Sequence, residues 1–382
     1  MKILFLASRD SGHPQAAGGD IQLHALAEYL AARGHAVIYA CMRRSGAARD
    51  EQRHGVRILR GRGPLEQAAW ASWNYMRHWS RGAGRVDVVI EEAIGGLLIP
   101  YAAPAFVRRP LVTFWYQVNA PLFYAEFSRP VASALVHLER RLARLHRRAV
   151  IATPTAFQAE RLQRLGFRRT QVHVVPNGLD WPAGRPEPLA ARDPLVVYMG
   201  KLRRYKCPHH LLDVAVHLRS TAPEARVVIA GRPDGTGFDR WLEDQIHRRG
   251  LHDRVTVKRS VPEETKRDLL RRARVLVLCS PTEGFGISII EANRFGTPVV
   301  VSEGVPPEVV QHEANGLRVP FADTTALTAA VSRLLRDDET WERMSRTAWQ
   351  TARRFTWPQA GARLEEAIED AVRGQAAGHA GA

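Results

Sequence analysis

Residues 274–302 read "RVLVLCSPTEGFGISIIEANRFGTPVVVS": an apolar run, a turn holding two glycines, a helix-like segment and a second apolar run. The first run, "RVLVLCS", has the length and composition of a buried strand, and "PTEGFG" is the turn at its carboxyl end. "ISIIEANRF" then reads as a helix that stops at Gly296, two residues before Pro298 and the next strand. Strand, turn, helix and strand in that order are the unit of a parallel α/β sheet. The same rhythm extends in both directions. Upstream the runs are "ILFLAS", "AVIYAC", "DVVIEE", "PLVTFWY", "AVIATP" and "VHVVPN", and after a Pro/Gly/Ala-rich break they resume as "PLVVYMG", "RVVIAG", "RVTVKR", "VLVLCS", "TPVVVS" and "GLRVP". The break, "NGLDWPAGRPEPLAARDP", suits neither helix nor strand and is expected to be a linker at 179–193. Two open parallel sheets in tandem follow, a domain at 1–178 and another at 194–357. A ligand is expected in the cleft between them, because such sheets bind ligands beyond the carboxyl ends of their strands.

With 382 residues, 45% of them hydrophobic, the chain can fill two cores, since single cores stop growing near ~250–300 residues. The net charge of +16 suits acidic partners such as nucleotides, anionic lipid or nucleic acid, and does not choose among them. Cys41, Cys207 and Cys279 are odd in number and widely spaced, with neither CxxC pairs nor a disulfide framework, so a reducing cytoplasm is expected. The opening "MKILFLASRD" is too short in apolar residues for a signal-peptide core, and no stretch approaches the ~20 needed to span a bilayer. The Ala/Gly-rich end, "GQAAGHAGA", is expected to fray.

Two glutamates stand out in the opening stretch. Glu283 lies in the turn, where Gly284 and Gly286 allow a ligand close to the main chain and the amides of the helix start favour an anion. Glu291 lies about five residues into the helix, roughly 7–8 Å along its axis at ~1.5 Å per residue. That separation suits a sugar and a ribose joined by a diphosphate, with the carboxylate of Glu291 accepting from two vicinal hydroxyls. Without context, a solvated Glu283 and a Glu291 paired with Arg294 would serve as well. The context is that "EGFGISIIEA" and "GTPVVVSEGVPPEVVQHEANGLRVP" resemble the Glu-x7-Glu signature and downstream block of the retaining glycosyltransferases of family 4, which have the GT-B fold. "VVPNGLD" at 174–180, "NGL" at 315–317, "FTW" at 355–357 and, more loosely, "AGGDIQLHALAEYLAARGHAV" extend the likeness.

The resemblance implies two Rossmann-like domains facing across a central cleft, with the last helix, 358–382, packing back on the first. It implies that Glu283 contacts the donor hexose and Glu291, with Gly284, Phe285 and Gly286, the nucleotide. In "MGKLRRYKCPHHLL", similar enzymes place an arginine at the strand end and a lysine five residues later on the donor diphosphate; here those positions are Lys201 and Lys206. Two ammonium groups there would stabilise the leaving diphosphate, although Lys201 lacks the bidentate fork of arginine. Gly18 and Gly19, in a glycine-rich turn after the first strand, can present amides to the phosphates, or form a plain flexible loop. Relatives often carry a histidine after the fifth strand; this chain offers Trp115, Tyr116, Gln117 and Asn119 as an acceptor floor instead, with Glu91 and Glu92 either binding acceptor hydroxyls or ending a solvated strand.

In "HLERRLARLHRRAV" (137–150), Leu138, Leu142, Leu145 and Ala149 share a helical face backed by arginines, which reads as a core-packed helix or as one docked peripherally on anionic membrane. No HxxxH or carboxylate cluster suggests a metal, the GT-B fold does not use the DxD motif, and no cofactor is expected. No aromatic stacking motif supports nucleic-acid binding. The expected function is transfer of a hexose, with retention, from a UDP- or GDP-sugar to a hydroxyl of a small-molecule, saccharide or lipid-linked acceptor. The alternatives are a GT-B phosphorylase or epimerase, and a non-catalytic basic protein that binds membrane or nucleic acid.

Overall fold

A computed structural model of the chain describes residues 1–63, 66–93, 101–181 and 185–380. The chain divides into two compact units: Met1–Val118, Ala134–Gly178 and Thr356–Ala382 form the first, Asn119–Ser133 and Leu179–Phe355 the second.

The first unit is built on β1 (Lys2–Leu6), β2 (Ala36–Cys41), β3 (Asp50–Arg53), β4 (Val56–Arg60), β5 (Val88–Glu92), β6 (Leu111–Phe114), β7 (Val150–Thr153) and β8 (Val172–Val174). Their order in the sheet is β3-β4-β2-β1-β5-β6-β7-β8, parallel throughout except where β3 runs against β4. Successive residues of β1 are buried on opposite faces, Ile3 and Phe5 with Leu23, Leu26 and Leu30, and Leu4 and Leu6 with Tyr75 and Trp79. A strand covered on both faces must be apolar at every position, which is why it reads as an unbroken run.

The helix Trp357–Ala380 closes one of these faces. Ala360, Leu364, Ala367, Ile368 and Ala371, at helical spacing, enter the same core as Leu26, Leu30 and Ala152. A side chain at Gly361 would come within 2.2 Å of the Tyr29 ring, so the close approach of this helix to Tyr29 depends on that glycine. The terminal stretch expected to fray continues this helix to Ala380, and residues 381–382 lie outside the described residues.

The helix Arg129–Leu145 corrects part of the expected apolar face: Leu142 packs on the core and Ala149, just beyond the helix, is buried, but the other two positions are not. Leu138 and Leu145 are 45% and 41% exposed, whereas Glu139, Ala143 and His146 turn inward. The inward phase follows the carboxylate of Glu91, which is fully buried and accepts from His146 Nε2 at 2.7 Å, Thr113 Oγ1 at 2.9 Å and the Ala103 amide at 3.0 Å. Burial works against a charge on His146, and the Glu91 carboxylate outweighs it and raises the imidazole pKa.

The second unit is built on β9 (Leu195–Met199), β10 (Arg226–Gly231), β11 (Val255–Arg259), β12 (Val275–Leu278), β13 (Val299–Ser302) and β14 (Gly316–Val319), in the order β11-β10-β9-β12-β13-β14 and parallel throughout. Counted within the unit this is the 3-2-1-4-5-6 order of the Rossmann sheet, with its reversal between β9 and β12. Of the stretch read as a linker, 182–184 lies outside the described residues, and its flanks belong to this unit. Trp181 joins the core, and buried Arg192 donates to Thr297 Oγ1 at 2.6 Å and Ala273 O at 3.0 Å. No described helix is long and apolar enough to cross a membrane.

Candidate active site

At the reversal point of the second sheet the chain leaves β9 and β12 side by side, and each carboxyl end carries charged side chains. After β9, Tyr198 OH donates to Lys201 O at 2.9 Å and holds the exit of the strand. A single 3-10 turn, Arg204–Lys206, follows and brings Lys206 back toward β12. After β12, Glu283 is anchored through its amide, which donates to Gly304 O at 3.0 Å. Its carboxylate Oε1 accepts from Lys206 Nζ at 2.6 Å and from Ser280 Oγ at 2.6 Å. Burial opposes the charge on Lys206, but the Glu283 carboxylate prevails and holds the ammonium pKa well above its ordinary value. The ammonium of Lys206 is therefore charged at neutral pH and sits at the strand ends against Glu283.

Gly286 makes the bend into the helix Ile287–Arg294, with φ +91° in the left-handed region that favours glycine. The first amides of any helix lack intrahelical acceptors, so this start presents partial positive charge beside Glu283 and Lys206. Phe285 is 4% exposed and packs edge-to-face on Phe355 at 5.2 Å, so its ring belongs to the core and only its backbone remains for a ligand.

Glu291 is only 8% exposed, as its place in an apolar helix demands, and it is not paired with Arg294, which donates to Trp181 O. Its partner is Lys266 Nζ at 2.7 Å, on the helix Glu263–Arg272, and Lys266 also reaches Glu263 at 2.9 Å. Burial raises the pKa of Glu291, and Lys266 opposes the rise. Lys266 is a member of the site that the sequence did not disclose, because "PEETKRDLL" reads as an ordinary solvated helix. The "NGL" turn is structural. Asn315 Nδ2 donates to Asn293 Oδ1 and to Val309 O, both at 2.8 Å, tying the helix of Glu291 to the loop before β14.

In the first unit the reversal falls between β1 and β5, and Glu92 ends β5 there. Glu92 is 6% exposed and accepts from the Ser8 amide at 3.0 Å. Burial, together with the Asp20 carboxylate, pushes its pKa up to about 7. Gly18 and Gly19 open the helix Gly18–Ala32. Tyr116 OH donates to Gly19 O at 2.8 Å, and a Cβ on Gly19 would lie 2.8 Å from the Tyr116 ring, so Gly19 is small in order to seat that ring. Trp115 does not offer a stacking floor: it is 1% exposed and packed against His146 and Phe167. Of the other residues expected around an acceptor, Gln117 is half-buried in the first unit and Asn119 buried in the second, where its carbonyl receives the Phe123 amide. Glu91 is committed to the core as described above. Glu92, Asp20, Gly19 and Tyr116 are thus gathered in the first unit, and Lys206, Glu283, Gly284 and Gly286 in the second.

Two Rossmann-like parallel-sheet units, each with ionised or titratable groups at its reversal point, define the GT-B class of fold. Sucrose-phosphate synthase from Thermosynechococcus elongatus shares it with a TM-score of 0.80 at 20% identity over 97% of this chain and 99% of that one. Anabaena HepE, solved in complex with UDP and glucose, superposes with a TM-score of 0.75 at 19% identity over 97% and 100%. Residues 184–351 match the family model described as Glycosyl transferases group 1, and residues 16–181 match the model described as Glycosyltransferase Family 4. The chain belongs to the family 4 type of glycosyltransferases. Among curated relatives, the D-inositol 3-phosphate glycosyltransferase of Xylanimonas cellulosilytica is 32% identical over 59% of this chain and 57% of its own length. That of Nocardia farcinica is 31% identical over 57% and 52%. The chain spans about half the length of the curated relatives it matches.

Proposed function

We propose that the chain is a retaining hexosyltransferase that takes a hexose from a nucleoside-diphosphate sugar, UDP-linked in the first instance, and delivers it to a hydroxyl acceptor. The observation that carries this is the Lys206–Glu283 ion pair beside the glycine-started helix of Glu291, all at the reversal point of a Rossmann sheet. Ligands bind at that point in such sheets. HepE, a structural neighbour, is known in complex with UDP-glucose, which favours uridine over guanosine.

On donor arrival Lys206 exchanges Glu283 for the diphosphate, and Glu283 turns its freed oxygen to hydroxyls of the hexose. Lys201 and the amides at Gly284–Gly286 add to the positive field. Glu291 keeps Lys266 on one oxygen and accepts from the ribose with the other, since a carboxylate offers about four acceptor positions. The bond from the anomeric carbon to the diphosphate oxygen breaks, and a bond from the same carbon to the acceptor oxygen forms on the same face. The acceptor proton passes to the departing diphosphate. The ammonium groups stabilise the charge that grows on that leaving group, a role that other transferases give to a metal. Glu92, whose carboxyl pKa is pushed up to about 7 by burial and by Asp20, is the acceptor-side group of the first unit, with Tyr116 and Gly19 shaping its surroundings. The acceptor is a small-molecule, saccharide or lipid-linked alcohol; two curated relatives are named for inositol 3-phosphate.

Calorimetry with UDP, which lacks the sugar, tests the division of labour. Glu291→Gln should weaken UDP by roughly ten- to a hundredfold, the worth of one hydrogen bond to a charged group, while Glu283→Gln leaves it nearly unchanged and lowers turnover. UDP weakened only by Glu283→Gln would overturn the assignment. Failure of UDP to bind the unaltered protein at all would remove the uridine donor.

A further inference from the structure

Directly after Lys206 the chain reads Cys-Pro-His-His, and the structure folds these residues onto themselves. Cys207 sits at φ +52°, ψ 36°, a left-handed conformation rare for a residue with a side chain, and Pro208 then leads into the helix His210–Thr221. This reversal brings one ligand atom each of Cys207, His209 and His210 within 4.8 Å of one another. Around a tetrahedral zinc, with Zn–S about 2.3 Å and Zn–N about 2.0–2.1 Å, donor atoms lie roughly 3.3–3.8 Å apart. Small side-chain rotations cover that difference.

A second observation points the same way. His209 Nδ1 is buried and has no hydrogen-bond partner, an unfavourable state for a polar atom that close packing does not explain. The apolar surroundings are accounted for: the His209 ring lies edge-on to Phe238 at 6.0 Å and Trp241 at 5.8 Å, His210 lies against Phe321 at 6.3 Å, and the two imidazoles meet at 4.6 Å. These rings fence the cluster and confine both imidazoles to small rotations. Trp241 and Phe321 remain 37% and 44% exposed and form its outer rim. In the tautomer that leaves the Nδ1 lone pair free, what the orphan nitrogen lacks is an electron-pair acceptor.

We propose that Cys207, His209 and His210 form a binding site for a borderline-soft divalent transition metal, represented by Zn²⁺. One thiolate and two imidazoles are the donor set that zinc prefers to calcium or magnesium. Binding displaces the thiol proton, which now goes to Tyr205 O at 3.4 Å, and leaves a fourth position open to water or a small ligand. Arg204 and Lys206 lie near Cys207, and Arg204 and Arg249 near His209; against them the thiolate supplies a negative charge, and Asp213, one helical turn past His209 and His210, pairs with Arg249 at 2.6 Å. Occupancy ties the turn Arg204–Lys206 to the helix His210–Thr221, so it stabilises the second unit. The HxxxH and carboxylate spacings by which metal sites are usually sought pass over such a cluster, because here a left-handed cysteine makes the fold-back.

The test is cobalt titration of the full chain after chelation, read by absorbance, with zinc added afterwards to displace the cobalt. One equivalent of Co²⁺ should produce a near-ultraviolet thiolate-to-cobalt band together with the visible bands of a tetrahedral ion, and Zn²⁺ should abolish both. Cys207→Ser should lose the near-ultraviolet band. His209→Gln and His210→Gln should each weaken uptake by at least about tenfold. Cys41→Ser and Cys279→Ser should retain the full spectrum, and near-ultraviolet circular dichroism verifies that each variant is folded. Zn²⁺ should also raise the melting temperature of the unaltered chain but not of Cys207→Ser. Absence of the band in the unaltered chain, its persistence in Cys207→Ser, or full affinity in both histidine variants would overturn the site.

Discussion

Glu283 is held by two neighbours at once, Lys206 and Ser280, both at 2.6 Å, and this sharing shapes what a substitution there can reveal. Removing Lys206 alone leaves a carboxylate that is 9% exposed without its counter-charge, which costs on the order of 3 kcal/mol. Lys206→Met should therefore lower both the urea midpoint and turnover, the latter by about a hundredfold or more. Lys206→Met with Glu283→Gln should recover most of the stability and none of the turnover; recovered turnover would remove Lys206 from the reacting bond. Glu92 gives a pH signature. Its carboxyl titrates near 7 in the fold against about 4.5 unfolded, because burial favours the neutral form. The stability it contributes is thus complete below pH 4.5 and lost as pH rises through 7. Glu92→Gln stays neutral, so it should match the unaltered protein in acid and exceed it by on the order of 3 kcal/mol above pH 8, as read by urea unfolding at each pH. An equal difference at every pH would show that Glu92 titrates normally. Both glutamates of the candidate site stood out in the sequence, because an acid inside an apolar helix and an acid at a glycine turn each need a reason. Their partners were not, since the contacts from Lys266 to Glu291 and from Lys206 to Glu283 span 25 and 77 residues and depend on the fold.

At the scale of the element, the turn after β12 works because one residue departs from ordinary backbone geometry. A Cβ on Gly286 would meet Ile289 Cδ1 at 2.6 Å, and φ +91° is strained for any L side chain. Gly286→Ala should cost about 1–3 kcal/mol and should weaken UDP at the same time, because the strained bend shifts the first amides of the helix. Urea unfolding and calorimetry on one preparation check this; an unchanged UDP affinity in a destabilised variant would separate the turn from the donor site. Elements buried on both faces were readable as continuous apolar runs. The hairpin of β3 and β4 was not, because "DEQR" and "VRILR" are studded with charge. Arg60, fully buried at the end of β4, pairs there through Nε with Asp10 at 2.7 Å and through Nη1 with Glu51 at 2.7 Å. The helix Arg129–Leu145 misled for a related reason. Leucine spacing suggests one phase, and the buried Glu91–His146 pair imposes another.

For the molecule as a whole, sequence order and spatial order part company at the carboxyl terminus. Residues from Thr356 onward leave the second unit and complete the first, where Leu364 is fully buried among Leu26, Leu30 and Ile368. Periodicity announces the helix, "WPQAGARLEEAIEDAV", but nothing in its composition says which sheet it covers; only the likeness to GT-B enzymes suggested the first. The placement has an energetic consequence. Leu364→Ala opens a cavity against the sheet of the first unit and should cost about 2–5 kcal/mol. That loss belongs to the first unit, although the substitution lies beyond the second in sequence. Hydrogen exchange should accordingly show faster opening of β6 and β7, which this helix covers, while β9 and β12 keep their protection. Loss of protection in β9 and β12 with β6 and β7 unchanged would mean that the terminal helix stabilises the second unit instead, and the division of the chain would have to be redrawn.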